Sequence, residues 1–496
     1  MTLKAGNSEN GQAHRFVLLS FMAGIMLSGL IFGHKVIAQQ SGLKAGMVQS
    51  EITPSEAGYP HYRGPSTGTH DPLYAKAVVF QQEGEKVALV VGDLLWVERD
   101  LSVRARMRIE KETGIPFQNI IIAGTHSHTS PAYHPNIREL TGTLRPPFDT
   151  QLDTGKADVY PKELEDGIVN AVVKAYEQRE EVVLEVFGEE VNDLAFNRRF
   201  IMKDGKLITN PGRRNPSIRE VEGPTDPELA VVMIQRKIDK HPIGTVSNFS
   251  LHADTFGGTA FSADYPGFLA NNLQRHFHKD FVSLFAAGAC GNINHIDVTG
   301  TKEEVKSSSE IGEILSSAIL QKPNKFQKVN GTELKAIAKV IYVPIQHFTP
   351  EELEWANTET GAPRFYEETA FLERRRRLKI RSIERIRRTE AVPPTIGDQP
   401  WRIPLEVQVF QINEDLAIVG LPGEVFVDLG LAIKENSPYK NTLVVELTHS
   451  HIAYVPTKEA FTRGGYETIN SRLAPGGGEL LAETAIALLQ EIHEQQ

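Results

Sequence analysis

The chain has 496 residues, with 53 Lys plus Arg against 63 Asp plus Glu for a net charge of −10, and is 40% apolar and 23% charged. This composition excludes wholesale disorder and gives no general attraction for nucleic acid, while the length allows two to four average domains or one large one. The single cysteine, Cys290, excludes an intrachain disulfide and any thiolate metal cluster, so a bound metal would need His, carboxylate, phenol or carbonyl ligands.

Residues 16–33 form the only long uncharged apolar run, preceded by Lys4, His14 and Arg15. Val36-Ile37-Ala38 then offers a small-residue processing site, so residues 1–38 read as a signal peptide cleaved after Ala38. An uncleaved N-terminal membrane anchor is the alternative, because the run is borderline for spanning a bilayer. Either reading exports the working part, to the periplasm or beyond, with membrane association through 16–33 in the second case.

From about 43 to 345, short apolar runs alternate with amphipathic ones, which predicts an α/β fold with a mixed β-sheet core flanked by helices. Buried strands are expected at Val87–Gly92, Ile120–Gly124, Gly244–Leu251 and Phe281–Ala287, a hairpin at Leu405–Ile412 and Leu416–Leu421, and a strand at Leu443–Leu447. The segment 346–402 is a helical excursion containing a charged helix, Glu367–Arg388. Its interleaved acids favour a solvated helix with Leu372, Ile380, Ile383 and Ile386 inward over an anion-binding surface. Residues 39–496 are treated as one catalytic unit.

Polar chemistry gathers where the apolar strands end, as ligands do in α/β sheets. Ile120–Gly124 leads into Thr125-His126-Ser127-His128, and the two His share a face if the extended geometry continues. The run ending at Leu251 leads to His252, that ending at Leu421 leads to Glu424, and Leu443–Leu447 leads toward Tyr454. Two His and a carboxylate from separate strand ends suit a catalytic zinc with an open position for water. Thr448-His449-Ser450-His451 repeats the first His motif, and chemistry alone does not rank the two pairs. Asp93 and Asp264 are candidates for holding a ligand imidazole in one tautomer, or are plain loop and helix caps.

Together these segments resemble the catalytic domain of the neutral/alkaline non-lysosomal ceramidase family, from Gly46 to near the C-terminus. The matching motifs are Thr125-His126-Ser127-His128-Thr129-Ser130-Pro131, Asn248-Phe249-Ser250-Leu251-His252 with Ser262-Ala263-Asp264, and Gly423-Glu424. Tyr454 and Tyr466, twelve positions apart, and Asn197-Arg198 complete the set. The resemblance implies Zn2+ on His126, His252, Glu424 and Tyr454, with catalytic roles for His128, Tyr466 and Arg198, and it demotes His449 and His451. The family's essential Ser falls on Asn294, whose amide could donate a hydrogen bond to a substrate oxygen. No immunoglobulin-like C-terminal domain is expected.

The implied protein is an exported, zinc-dependent amidohydrolase acting on linear amides, with a small-molecule or lipid substrate, ceramide-like or otherwise, and no nucleic-acid partner. Alternatives are a hydrolase of another amide, ester or lactone on the same scaffold, or a non-catalytic metal- or ligand-binding protein of the envelope. A serine hydrolase and a helical zinc protease are disfavoured, since Gly-x-Ser-x-Gly and His-Glu-x-x-His are missing. Oligomeric state is not legible.

Overall fold

A computed structural model describes residues 42–495 apart from 56–57, 62–63, 135–158, 322, 330–332, 359–367 and 394–399. The apolar run at 16–33 and the processing site at Ala38 lie outside the described residues. Among the described residues no helix is long and apolar enough to cross a membrane.

Two sheets carry the architecture. The first runs, edge to edge, Val282–Ala287, Pro242–Phe249, Glu228–Arg236, Glu180–Glu190, Lys44–Glu51, Tyr74–Gln82, Glu85–Gly92 and Ile120–Gly124, with Gln327–Lys328 pairing Glu180–Glu190 as a ninth strand. The second runs Lys335–Pro344, Arg402–Asn413, Leu416–Gly420 and Asn441–Val445. Phe80, Leu89 and Ile121 of the first sheet meet Phe410, Ile418 and Val445 of the second in one buried core. Residues alternating with these face outward under helices. Val79, Val90 and Ile122 pack beneath Arg99–Thr113 and Val159–Glu177, and Val407, Val409 and Val419 beneath Val427–Glu435 and Gly477–Glu494. The result is a helix–sheet–sheet–helix sandwich, with a mixed sheet core as expected. Because both faces of a strand such as Ile120–Gly124 are buried, its sequence is an unbroken apolar run rather than an alternating one.

Within these two sheets three pairs of neighbouring strands are parallel, each joined by a helix. They are Glu85–Gly92 with Ile120–Gly124 across Arg99–Thr113, Pro242–Phe249 with Val282–Ala287 across Asp264–His276, and Leu416–Gly420 with Asn441–Val445 across Val427–Glu435. The other neighbours within the two sheets pair antiparallel.

The excursion 346–402 interrupts the antiparallel pair Lys335–Pro344 and Arg402–Asn413. It begins with helix Pro350–Asn357, whose Thr349 cap and Glu352 form a reciprocal capping box with Pro350 in the first turn. The longer helix Glu368–Thr389 buries Ile380, Ile383 and Ile386, as its pattern predicts. It differs from the sequence reading near its start: Leu372, expected on the buried side, is only half-buried and, with Phe371 and Arg375, walls the cavities described next. A charged helix and a site wall share one sequence pattern, because both need polar groups on the outer face.

Candidate metal centre

The carboxyl ends of the parallel pairs converge. Strand Ile120–Gly124 ends at Gly124, and the chain turns sharply because His126 has φ +68°. The extended geometry therefore does not continue to His128, and the alternation argument for a shared face fails. The turn itself brings the rings together, with His126 and His128 4.9 Å apart edge-on and His126 and His252 4.3 Å apart. A non-glycine residue at positive φ stores strain, which is typical of functional positions.

Glu424 Oε2 lies 3.5 Å from His126 Nε2 and 3.5 Å from His252 Nε2. His126 Nδ1 is 2.9 Å from the Leu95 carbonyl, which can only accept, so the proton sits on Nδ1 and Nε2 presents a lone pair. Arg198 Nη1, which can only donate, is 3.2 Å from His252 Nε2, so that nitrogen also carries a lone pair. His126 Nε2 and Glu424 Oε2 are buried with no hydrogen-bond partner. The lone pairs of His126 Nε2 and Glu424 Oε2 face each other with no donor between them, while that of His252 accepts from Arg198. Ligands about 2.0–2.2 Å from a tetrahedral ion stand roughly 3.4 Å apart, so the spacing fits a metal such as zinc.

The titration behaviour follows the same logic. Burial opposes charge on His126, yet the neighbouring Glu424 carboxylate raises its pKa above the ordinary 6.5. Burial also opposes charge on Glu424, but His126 and His252 hold it well below the usual carboxylate range. Burial, then Arg198 and His126, push His252 down to about 4. Burial and His126 drive His128 well below its reference value, so the ordinary value near 6.5 does not apply there.

A second donor combination overlaps the first. One ring nitrogen each from His126, His128 and His252 lie within 4.8 Å of one another. This wider triple shares two residues with the Glu424 set.

The other expected residues distribute unevenly. Glu424–Val425 and Tyr454–Val455 pair in parallel, setting Tyr454 beside Glu424. Tyr466 stands 5.6 Å from the Tyr454 ring, and both line the cavities at the centre. Arg198 donates Nε to Glu467 (2.9 Å) and Nη2 to the Gly291 carbonyl (2.7 Å). Asn294 is drawn away from the centre: its amide donates to Asn210 (2.8 Å) and accepts from the Ile296 amide (3.0 Å). Asp93 accepts from the Tyr74 amide, and Asp264 from the Thr255, Phe256 and Tyr265 amides. Both therefore cap backbone, while the Leu95 carbonyl orients His126. His449 bonds Ser102 (2.9 Å) through Nδ1 and Gln408 through Nε2, which occupies both ring nitrogens within the core.

Two cavities meet at His128, Tyr454 and Tyr466. The smaller one, about 50 Å³, is lined by His126, Glu424, Trp96, His451, Arg375 and Arg472. The outer cleft, about 650 Å³, is walled by Leu207, Ile208, Phe371 and Leu372 with Arg198 and Asp254. Sequence reasoning did not assign site roles to Trp96, Arg375, Arg472 or Glu446. Buried Glu446 accepts from the Val425 amide (2.7 Å) and from Cys290 Sγ (3.0 Å), tying the Glu424 strand to the Cys290 turn. An acid inside the apolar run Leu443–Leu447 was the available signal for it.

The fold and site thus define an α/β protein with a helix-flanked double sheet and a buried imidazole–carboxylate cage at its parallel strand ends. The chain belongs to the neutral/alkaline non-lysosomal ceramidase family, whose N-terminal model matches residues 49–333. The family is metal-dependent, and the cage supplies suitable donors. The fold is similar to that of neutral ceramidase from Pseudomonas aeruginosa, with TM-score 0.67 and 17% identity over 92% of this chain and 75% of that one. A ceramidase complexed with C2 is similar at TM-score 0.66 and 17% identity, over 92% and 76%. Among curated protein sequences there is no match.

Proposed function

We propose that this member of the ceramidase family is a zinc-dependent hydrolase of a linear N-acyl amide, holding its metal on His126, His252, Glu424 and Tyr454. The observation that carries the reading is the pair of 3.5 Å spacings from Glu424 Oε2 to two imidazole nitrogens, buried beside a cleft with an apolar wall. A bound divalent cation supplies an acidic water and polarises a carbonyl oxygen. His128 is neutral at physiological pH and placed at the junction of both cavities, where it accepts a proton. Tyr466, at the same junction, donates to developing negative charge, and Arg198, by donating to His252 Nε2, holds that ring in the tautomer whose proton is on Nδ1. Asn294 acts through Asn210 on the cleft wall rather than by touching substrate.

The 3.5 Å triple favours Glu424 over His128 as third ligand, because the wider triple would need its rings to rotate inward. Export is part of the proposal, with 1–38 as signal or anchor and 39–496 as the working domain. N-terminal sequencing of the exported protein should begin at Gln39, and retention of Met1 would support the anchor. The central test is elemental analysis of the purified full chain together with hydrolysis of N-dodecanoyl amides with and without a chelator. About one zinc per chain and chelator-sensitive fatty-acid release are expected; a metal-free chain with no amide turnover would overturn the reading.

A further inference from the structure

We infer that His451 is a further substrate-binding residue of the centre, its imidazole hydrogen-bonding a hydroxyl on a short amine half of the substrate held in the smaller cavity. This rests on the hydrolase reading above and deepens it by naming the head group.

The second Thr-His-Ser-His string divides between core and site. His449 bonds through both ring nitrogens inside the core, whereas His451 lines the smaller cavity with His126, His128 and Glu424. The loop that carries it is strained, since Leu447, His449 and Ala453 have φ of +59°, +60° and +56°. Non-glycine residues in this region gather at ligand-binding positions, where the surroundings hold them in place. Here the amides of Thr448 and His449 donate to the carbonyls of Leu421 (3.0 Å) and Ile122 (2.9 Å), and the Ala453 carbonyl accepts from the Glu424 amide (2.9 Å). The loop is thus fastened to two strands that lead into the centre and to Glu424 itself.

The His451 ring is braced as well. It stacks on Trp96 with centroids 3.6 Å apart and planes 7° from parallel. Trp96 is fixed in turn, its indole N–H donating to Glu98 Oε1 (3.0 Å) and its carbonyl accepting from the Tyr133 hydroxyl (3.2 Å). One face of the imidazole is taken up by packing, yet among the described residues no hydrogen bond reaches either of its nitrogens. A half-buried polar ring at a cavity wall needs a partner from the cavity. The imidazoles close enough to share an ion are those of His126, His128 and His252, so His451 meets the substrate rather than the metal. Burial, then Arg472, hold it well below its ordinary 6.5 and therefore uncharged. A neutral imidazole offers one donor and one acceptor, the complement of a hydroxyl.

The two cavities divide the substrate. The wider cleft, with Leu207, Ile208, Phe371 and Leu372, takes the acyl chain. The scissile amide lies where the cavities meet, at His128, Tyr454 and Tyr466. The amine half is left with about 50 Å³, room for a short head only, and His451 stands on its wall.

The test compares two amides of equal size, N-dodecanoylethanolamine and N-dodecanoylpropylamine, which differ by a hydroxyl in place of a methyl group. Hydrolysis is followed with the metal-loaded full chain, and binding by calorimetry with the chelator-treated full chain. The hydroxyl compound is expected to be favoured by about threefold or more, the weight of one neutral hydrogen bond, and through KM rather than kcat. In His451→Phe, which keeps a ring against Trp96 but has no nitrogen, the ratio should fall to about one while zinc content stays at the wild-type level. His451→Leu, smaller and equally unable to hydrogen-bond, should do the same. A wild-type ratio below about threefold in both measurements overturns the inference without recourse to any variant. So does a ratio that survives in both variants, or loss of zinc from them, which would make His451 a ligand. If the hydroxyl compound binds better but neither amide is cleaved, the hydrolase reading fails and the His451 assignment stands. If the two amides are bound and cleaved alike, the hydrolase reading stands and the assignment falls.

Discussion

His126 concentrates the chemistry of this molecule in one residue: a left-handed backbone, a ring locked by the Leu95 carbonyl, and a lone pair aimed at Glu424. Replacing it by Ala removes a donor shared by both possible ligand triples, so metal content should fall below a tenth of an ion per chain and hydrolysis should vanish with it. His128→Ala separates the triples. If Glu424 is the third ligand, that variant keeps its metal by elemental analysis and loses kcat by about 10²-fold or more, the usual weight of a proton-transfer group. Metal loss in His128→Ala would instead make the three imidazoles the ligands. The raised pKa of His126 sets a pH dependence whose sign is fixed. Below that pKa, which lies above the ordinary 6.5, a proton competes with the metal for Nε2, so affinity falls as pH drops through it, by up to about tenfold per pH unit for one displaced proton. Metal titrations at several pH values check this, and affinity that does not fall on acidification would mean His126 is not a ligand.

At the scale of strands and turns, the centre exists because three parallel pairs end at one place, and close backbone approach holds the ends in register. Gly291 donates its amide to the Val425 carbonyl (2.7 Å) and accepts Arg198 on its own carbonyl, and a methyl group there would lie 2.4 Å from the Glu424 carbonyl oxygen. Gly291→Ala must therefore displace the strand carrying Glu424. A stability loss of about 1–3 kcal/mol and at least a tenfold loss of metal affinity are expected, whereas Gly257→Ala, with open space around it, should change stability by less than about 0.5 kcal/mol. The strands that bear the site were legible in the sequence: Ile120–Gly124 as drawn, and Pro242–Phe249, Val282–Ala287 and Leu416–Gly420 to within two residues at each end. They are legible because burial on both faces leaves unbroken apolar runs. Glu180–Glu190 was not, since its EEVVLEVFGEE string mixes acids with apolar residues in a half-exposed strand. Nor was the turn at His126, because a positive φ at a histidine leaves no compositional mark. Arg472 illustrates the remaining gap, as a buried guanidinium far from the other site residues in sequence carries no signal of where it points.

For the molecule as a whole, the proposed ligand set bridges the sandwich. His126 and His252 follow strands near opposite edges of the first sheet, and Glu424 follows a strand of the second. A bound ion is then a cross-link between layers that otherwise meet through the apolar core around Phe80, Ile121, Phe410 and Ile418. These two ties make separable contributions to thermal stability. Metal at 100 times its Kd adds about 2.7 kcal/mol by mass action, and unfolding entropy scaled to roughly 450 residues converts that to about 3 °C in Tm. Each further tenfold in free metal should add about 1.5 °C, a steady rise on a logarithmic axis. Phe410→Ala should lower Tm by about 3–5 °C through the cavity it leaves, yet retain the metal-dependent rise, because the cage is untouched. Glu424→Gln should do the opposite, with little change in the metal-free Tm beyond the relief of buried charge and no rise on adding zinc. Differential scanning calorimetry of the two variants across a zinc series distinguishes these outcomes. A Glu424→Gln protein whose Tm still climbs with zinc would place the ion elsewhere and break the link between the two sheets.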